Sequence, residues 1–147
     1  MANFSEILYE LILEYNNYHK SDAKDFAKII GLNATTITRY LNGTRTPSVK
    51  NVILLADFFK CTADFLIGEK CESNISKFKK CPPFAERFES LLKEYGYNCL
   101  SFSKAAEIHQ SRVYAWKNGK RVPTLDNVIK IARFLDCSID CVLGREI

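Results

Sequence analysis

The chain repeats itself at an interval of 76 residues. When residues 22–68 are laid over residues 98–144 without a gap, 14 of the 47 pairs are identical. Among these pairs are Asn42/Asn118, Gly43/Gly119, Arg45/Arg121, Pro47/Pro123, Cys61/Cys137, Asp64/Asp140 and Gly68/Gly144. Self-similarity at a fixed period indicates a duplicated structural unit, so the two copies are expected to share one fold.

The identical pairs are unevenly distributed along the repeat. Twelve of them lie in the 27 pairs from Asn42 onward, whereas residues 34–41 and 110–117 share none. The two copies therefore share most of their pattern but have one segment, residues 34–41 and 110–117, in which no residue is the same. A repeat of about 65 residues is near the lower size for a domain that folds alone. The sequence predicts a first domain over residues 1–68, a linker over 69–83 and a second domain over 84–147.

Positive charge is concentrated in the second half of the chain. Residues 1–70 contain 8 Lys/Arg and 8 Asp/Glu, whereas residues 71–147 contain 13 and 9, so the second half carries the net charge of +4. No run of 18 apolar residues is present, and Glu6, Glu10 and Glu14 interrupt the apolar pattern at the start, unlike a signal peptide. We therefore expect a cytoplasmic protein that does not enter a membrane.

The candidate chemical groups do not form a recognisable catalytic or metal motif. Six cysteines are spaced without a Cys-x-x-Cys pair and without a Cys/His pair at ligand spacing. Cys61 and Cys137 lie at equivalent positions beside apolar neighbours, which predicts a structural role for both thiols. A phosphate-binding glycine loop and a nucleophile motif are also missing from the sequence. We expect no enzymatic activity, no metal and no cofactor.

Each copy is predicted to form five short helices and no strand. The first helices have apolar stripes at Phe4, Leu8, Leu11, Ile12 and Tyr15, and at Phe84, Phe88, Leu91, Leu92 and Tyr95. Here the copies are related by 80 residues rather than 76. The first copy thus has four extra residues, which we expect in a surface loop within residues 16–21, where an insertion costs little.

Capping residues mark the other helices. Asn3 with Glu6 is expected to form a capping box at the first helix. Asp22 and Asn33 are expected to cap the second and third helices, with a turn at Gly31 between them. The fourth helix is expected to follow Ser48 or Thr124, and the fifth to follow Thr62 or Ser138.

The segment after the third predicted helix carries a specific motif. It reads NGTRTPS in the first copy and NGKRVPT in the second, followed by an apolar helix and then FFKCTAD or FLDCSID. Over residues 4–68 and 84–144 these features resemble the lambda-repressor/Cro-like (XRE) helix-turn-helix domain. The resemblance implies an all-α chain of two tandem five-helix lambda-repressor-like DNA-binding domains. It also implies that each third helix enters the major groove of double-stranded DNA while the flanking segments contact phosphates.

The third helix of the second copy has a polar and basic outer face. Ile108, Val113 and Trp116 have the spacing of an inward face, which favours a core role for Trp116. The DNA-binding candidates are Gln110, Ser111, Arg112, Tyr114 and Lys117, with Lys120 and Arg121 in the following loop. From Gln110 to Arg121 the chain has four cations, which are Arg112, Lys117, Lys120 and Arg121, and no acid. This charge suits binding to a polyanion, whose counterions are released when cations contact it. The same charges are also compatible with an ordinary solvated surface.

The third helix of the first copy has a different outer face. With Leu32, Ile37 and Tyr40 inward, the candidates are Thr35, Thr36, Thr38 and Arg39, joined by Arg45 in the loop. Hypothetical base contacts are Arg39 with guanine, Gln110 with adenine and threonine methyl groups with thymine. His109 stands where Asn33 caps the helix, so we expect a poor cap there.

Two departures from the family pattern lower the expected affinity of one copy alone. Many members place Gln at the start of the second helix to touch phosphate, whereas this chain has Ala23 and Cys99. Glu107 replaces Gly31 at the turn, which puts a side chain where a positive φ is often required and an acid near the expected DNA.

Together these features predict a sequence-specific regulator of transcription that binds double-stranded DNA. Because the two third helices share no residue, we expect two non-identical half-sites, read together for a gain in avidity. A homodimer or a regulatory protein partner is compatible with the sequence. The alternative is a protein-interaction adaptor in which one or both copies bind a partner protein, and the neutral charge of residues 1–70 favours the first copy for that role.

Overall fold

A computed structural model describes residues 3–20, 23–70 and 77–146, and the side chains of Ala23 and Lys24 lie outside that description. The chain divides into two compact units, Met1–Ser76 and Lys77–Ile147. All regular structure in the described ranges is helical, which confirms the all-α prediction. Among these helices, none is long and apolar enough to cross a lipid bilayer.

The two units contain the same five helices in the same order. The first unit has α1 (Phe4–His19), α2 (Ala23–Ile30), α3 (Ala34–Leu41), α4 (Val49–Phe59) and α5 (Ala63–Leu66). The second has α6 (Phe84–Tyr95), α7 (Cys99–Ala106), α8 (Gln110–Lys117), α9 (Leu125–Leu135) and α10 (Ile139–Leu143). The structure therefore confirms the duplication at the level of helix order.

The extra residues of the first unit lengthen a helix rather than a loop. α1 has 16 residues and α6 has 12, so the prediction of a surface loop beginning at Asn16 is wrong. Ring contacts accompany the additional turn, with centroids 4.3 Å apart for Tyr15 and His19 and 4.9 Å apart for Tyr18 and His19. Lys20 then ends α1 in the left-handed conformation, and its N–H donates to the Asn16 carbonyl.

Side-chain caps start the helices at predicted positions. Asn33, Ser48 and Thr62 each accept a hydrogen bond from a backbone N–H in the first turn of their helices. Each such bond satisfies one of the N–H groups that a helix start leaves without a carbonyl partner. Asn3 caps α1 as predicted by accepting from the Glu6 N–H at 3.0 Å, whereas the reciprocal capping box is seen at α7, between Asn98 and Ser101. The predicted cap of α2, Asp22, lies outside the described residues.

Each unit encloses its own apolar core, and one aromatic pair recurs in both. The rings of Phe26 and Phe58 meet edge to face with centroids 5.6 Å apart, and those of Phe102 and Phe134 do so at 5.7 Å. Phe26 and Phe102 are fully buried. Edge-to-face aromatic pairs contribute about 1 kcal/mol beyond their buried area. This contact accounts for two of the identical pairs in the repeat.

Residues preceding α6 pack against the C-terminal end of the second unit. The Lys79 N–H donates to the Arg145 carbonyl at 2.9 Å, and the Arg145 guanidinium lies 4.1 Å from the centre of the Phe78 ring. Arg145 is fully buried and forms an ion pair with Asp140, which is also buried. Much of the segment expected as a linker, from residue 77 to 83, therefore contributes to the packing of the second unit.

The turn between the second and third helices is left-handed in both units. Gly31 has φ 82° and Glu107 has φ 57°. A side chain in this region brings Cβ too close to the following carbonyl, at a cost of about 1–2 kcal/mol. The Glu107 carbonyl accepts a hydrogen bond from Lys130 Nζ at 3.1 Å, a bond to the backbone that any residue at position 107 would keep.

Glu107→Gly is expected to stabilise the second unit by about 1 kcal/mol, because glycine relieves the left-handed strain. Trp116 is the single tryptophan and lies buried in the second unit, so its fluorescence during urea unfolding reports that unit. Glu107→Ala keeps a Cβ and serves as the control. Equal stability of the Gly and Ala variants would show that the turn stores no such strain.

Candidate nucleic-acid interface

The same backbone bond closes the turn of each helix-turn-helix. In the first unit the Leu32 N–H donates to the Ala27 carbonyl at 3.0 Å. In the second unit the equivalent Ile108 N–H donates to the Ser103 carbonyl at 3.1 Å. Leu32 is half-buried and Ile108 is buried, so the third helix of each unit begins from an anchored residue.

Tyr40, which is 1% exposed, attaches α3 to two other helices, α1 and α4. From α1, the Ser5 hydroxyl donates to the Tyr40 carbonyl at 2.7 Å and the Phe4 ring meets the Tyr40 ring edge to face. From α4, the Asn51 side-chain amide donates to the Tyr40 hydroxyl at 2.7 Å. With Ile37 also buried, one face of α3 is fully engaged, which confirms the inward assignment of both residues.

α8 is held by Trp116 in the place of Tyr40. Trp116 is 3% exposed, and its ring meets Phe84 and Phe88 edge to face with centroids 6.5 Å and 5.8 Å apart. Val113 is fully buried one turn earlier. The core assignment of Trp116 is therefore confirmed, and the opposite face of α8 is left for other contacts.

The outward residues of α3 form a small polar surface with one cation. Thr35, Thr38 and Arg39 are exposed, whereas Thr36 is half-buried at the edge. The Thr38 hydroxyl donates to the Ala34 carbonyl at 3.0 Å. Because a hydroxyl has one proton, Thr38 can offer an incoming group only its oxygen lone pair and its methyl group.

The outward residues of α8 and the following loop are richer in cations. All seven predicted DNA-binding residues of this unit are exposed: Gln110, Ser111, Arg112, Tyr114, Lys117, Lys120 and Arg121. On the same helix Val113 and Trp116 are buried, so the five α8 candidates are the side chains that remain accessible. Arg121 follows α8 at the place where Arg45 follows α3, and Arg45 is also exposed.

His109 caps α8, contrary to the prediction of a poor cap. Its Nδ1 accepts from the Ser111 N–H at 3.1 Å and lies 2.8 Å from the Ser111 hydroxyl. Asn33 Oδ1 makes the matching bond to the Thr35 N–H in the first unit, at 2.8 Å. Because Nδ1 accepts a hydrogen bond, the proton of the neutral imidazole is assigned to Nε2. The Ser111 hydroxyl lies beside the same Nδ1 and so belongs to the cap as well. The lone pair of a ring nitrogen thus replaces the oxygen expected at this position.

The loop after each third helix explains the Asn-Gly-x-Arg-x-Pro spacing. Gly43 and Gly119 both have φ 75°, where glycine is favoured. The next residue then turns back to the helix, since the Thr44 N–H donates to the Arg39 carbonyl at 3.1 Å and the Lys120 N–H to the Ala115 carbonyl at 3.0 Å.

Buried prolines, Pro47 and Pro123, close this loop in both units. In the first unit, the Thr44 hydroxyl also donates to Asn42 Oδ1 at 2.6 Å. The glycine turn and the buried proline therefore set the backbone position of the arginine between them, Arg45 or Arg121.

One departure from the family pattern has a clear structural consequence. Cys99 occupies the position of the phosphate-contacting Gln at the start of α7, and it is 3% exposed. A thiol in that environment packs in the core and does not reach a phosphate. For the other departure in this position, Ala23, the side chain lies outside the described residues.

One thiol of the second unit, that of Cys137, is strongly affected by its surroundings. Burial, followed by the neighbouring Cys141 thiol, raises the pKa of the Cys137 thiol to about 12. Since the thiolate is the nucleophilic form, Cys137 stays unreactive at neutral pH. In the described ranges, no group of three His, Cys, Asp or Glu side chains is placed to hold a metal ion.

His109→Ala is expected to destabilise the second unit by about 1 kcal/mol, because the Ser111 N–H loses its acceptor. His109→Asn is the matched variant, since it installs the cap used by the first unit, and it should keep the wild-type stability. Trp116 fluorescence in urea measures both. Wild-type stability of the Ala variant would mean that the imidazole does not stabilise α8.

The sequence was also compared with known proteins. It matches the family model HTH_3, described as "Helix-turn-helix", twice, over residues 19–66 and 89–140. The matched stretches together cover more than half of the chain, and they include α3 and α8 with the turns that precede them. No curated protein and no solved structure gives a significant match to the chain.

Proposed function

Because the chain belongs to the helix-turn-helix family HTH_3, a family of DNA-binding regulatory domains of the XRE kind rather than of enzymes, we propose that it regulates transcription by binding two non-identical half-sites of double-stranded DNA. The observation that supports this proposal is a contrast between the two units. α3 and α8 are anchored in the same way, yet their exposed residues differ at every equivalent position.

The exposed residues of α3 and α8 suit direct reading of bases in the major groove. The Arg39 guanidinium can donate two parallel hydrogen bonds to guanine, and the Gln110 amide can pair with adenine. Each good bidentate contact is worth about 1–3 kcal/mol of discrimination. Arg39 has Ala115 as its equivalent, so the two units would prefer different bases.

The cations that follow the reading helices suit phosphate contacts. Arg45 and Arg121 occupy the same point of the same loop, and Lys120 adds a further charge beside Arg121. Lysine and arginine side chains that contact phosphates release condensed counterions. Each such contact therefore makes the slope of log K against log salt more negative by about 0.9. The second unit has more of these cations and is expected to supply most of the salt-dependent affinity.

Tandem placement gives the two units an advantage that neither has alone. Seven peptide links join Lys70 to Lys77, so these residues can separate by no more than about 25 Å. After one unit has bound, a short connection keeps the other at an effective concentration in the millimolar range. This gain would offset the missing phosphate contact at Cys99, and the short connection favours closely spaced half-sites.

Replacing Arg112 and Lys120 by Ala, or Arg39 and Arg45 by Ala, is expected to weaken duplex binding at least tenfold. Removing a phosphate-binding cation should also make the salt slope shallower by about 1 for each phosphate concerned. Binding is measured by fluorescence anisotropy at several salt concentrations, on a duplex selected from a random library. Lys93→Ala, an exposed cation on α6, is the control and should leave both quantities unchanged. Unchanged binding in both double variants would refute these roles for α3 and α8.

The selected duplexes are expected to lack two-fold symmetry. Selection repeated with Arg39→Ala should relax the base preference in one half of the site, and selection with Gln110→Ala should relax it in the other half. Each variant serves as the control for the other. A palindromic site, or relaxation of the same half by both variants, would contradict the proposal that each unit reads its own half-site.

A further inference from the structure

The outer surface of α1 combines exposed apolar side chains with a row of acids. Tyr9 is 56% exposed and Leu13 is 46% exposed, and they lie one helical turn apart. Glu6, Glu10 and Glu14 are also exposed and follow one another at the same four-residue interval. These five residues are called the α1 face.

The second unit shows that the fold does not require apolar residues at these positions. α6 is related to α1 by 80 residues, so Glu89 stands in the place of Tyr9 and Lys93 in the place of Leu13. Glu89 and Lys93 form an exposed ion pair, with Oε1 and Nζ 3.6 Å apart. The same helix in the same fold is thus fully solvated on this side.

The inward sides of the two helices are both apolar, and Glu6 and Glu14 also have acidic equivalents, Glu86 and Glu94, so the outer sides differ chiefly at Tyr9 and Leu13. Leu8 is fully buried in α1 and Phe88 is fully buried at the equivalent place in α6. Since core packing accounts for those residues and not for Tyr9 and Leu13, the exposed apolar pair needs another explanation. Scattered exposed apolar residues are common, but a pair beside a row of charges is typical of an interaction surface.

We propose that the α1 face is a docking surface for a partner protein whose contact surface combines apolar side chains with flanking lysines or arginines. The apolar part would cover Tyr9 and Leu13, and the basic residues would lie against Glu6, Glu10 and Glu14. Opposite charges around an apolar contact steer the encounter and select the partner. This role goes beyond DNA binding and does not depend on it.

Charge complementarity favours this occupant over two others. Duplex DNA would place negatively charged phosphates against the three glutamates, and the like charges would repel each other. A two-fold dimer through the α1 face would bring the glutamates of both copies into one interface, to which neither face contributes a cation. An apolar surface flanked by basic side chains matches both the apolar and the acidic part of the α1 face.

The test uses the full chain labelled with ¹⁵N and a synthetic probe. The probe is an 18-residue peptide of Leu and Lys, with Leu at helical intervals on one side. Chemical-shift changes are expected at α1, and the affinity they report should be at least tenfold weaker for Tyr9→Glu/Leu13→Lys, which installs the residues of the second unit. A peptide of the same pattern with Glu in place of Lys is the control and should not bind.

A second variant separates the acidic contribution from the apolar one. Glu6→Gln/Glu10→Gln/Glu14→Gln keeps Tyr9 and Leu13, and it should weaken the Leu/Lys peptide at least threefold while removing the salt dependence of its binding. If Tyr9→Glu/Leu13→Lys does not fold, Leu13→Lys alone is used and should weaken the peptide at least threefold. Circular dichroism checks the helix content of each variant.

Four results would overturn the proposal. They are the absence of shifts at α1, equal affinity for the variants and the wild type, a wild-type dimer in sedimentation that the Tyr9→Glu/Leu13→Lys variant loses, and weaker duplex binding by that variant. The third result would assign the face to a second copy of the chain, and the fourth would assign it to DNA. Failure of the DNA-binding proposal would leave the peptide result unchanged.

Discussion

The attachment of one aromatic side chain at the end of each third helix, α3 or α8, is the contact on which the rest of the candidate interface depends. Tyr40 meets α1 through its ring and its carbonyl and meets α4 through its hydroxyl. Trp116 takes its place in the second unit and packs on Phe84 and Phe88. Truncating a buried aromatic residue costs about 3–5 kcal/mol, a large fraction of the stability of a small domain. The helix therefore keeps its orientation whatever its outer face carries.

This attachment explains how the repeat can combine a shared frame with a divergent segment. The left-handed glycine and the buried proline after α3 and α8 set the loop, so Asn-Gly-x-Arg-x-Pro stays the same in both units. The exposed positions of the helices make few contacts with the frame. Changes there leave the folding free energy nearly untouched, because surface substitutions usually shift it by about 0.5 kcal/mol or less. The fold therefore tolerates divergence on the exposed face, whereas the buried pairs Ile37/Val113 and Tyr40/Trp116 differ but stay large and apolar or aromatic.

The helix order, most caps and the inward face of α8 could be predicted because they follow from periodicity and local hydrogen bonding. The bond between His109 Nδ1 and the Ser111 N–H could not, since sequence statistics give histidine no preference as a cap and the ring orientation is a tertiary property. The helical form of residues 16–19 depends on aromatic contacts along α1. The burial of Arg145 between Asp140 and Phe78 joins parts of the chain more than 60 residues apart, and no local pattern signals such a contact.

The first unit places its proposed docking helix, α1, in direct contact with α3, the helix proposed to read DNA. α1 exposes Tyr9 and Leu13, and it contacts Tyr40 through Phe4 and Ser5. A partner that shifted α1 would therefore act on the residue that orients α3. Any such coupling is reciprocal in free energy, so a partner that tightened DNA binding by some factor would itself bind the DNA complex more tightly by the same factor. The second unit, with an ion pair in place of the apolar residues, would be free of this coupling.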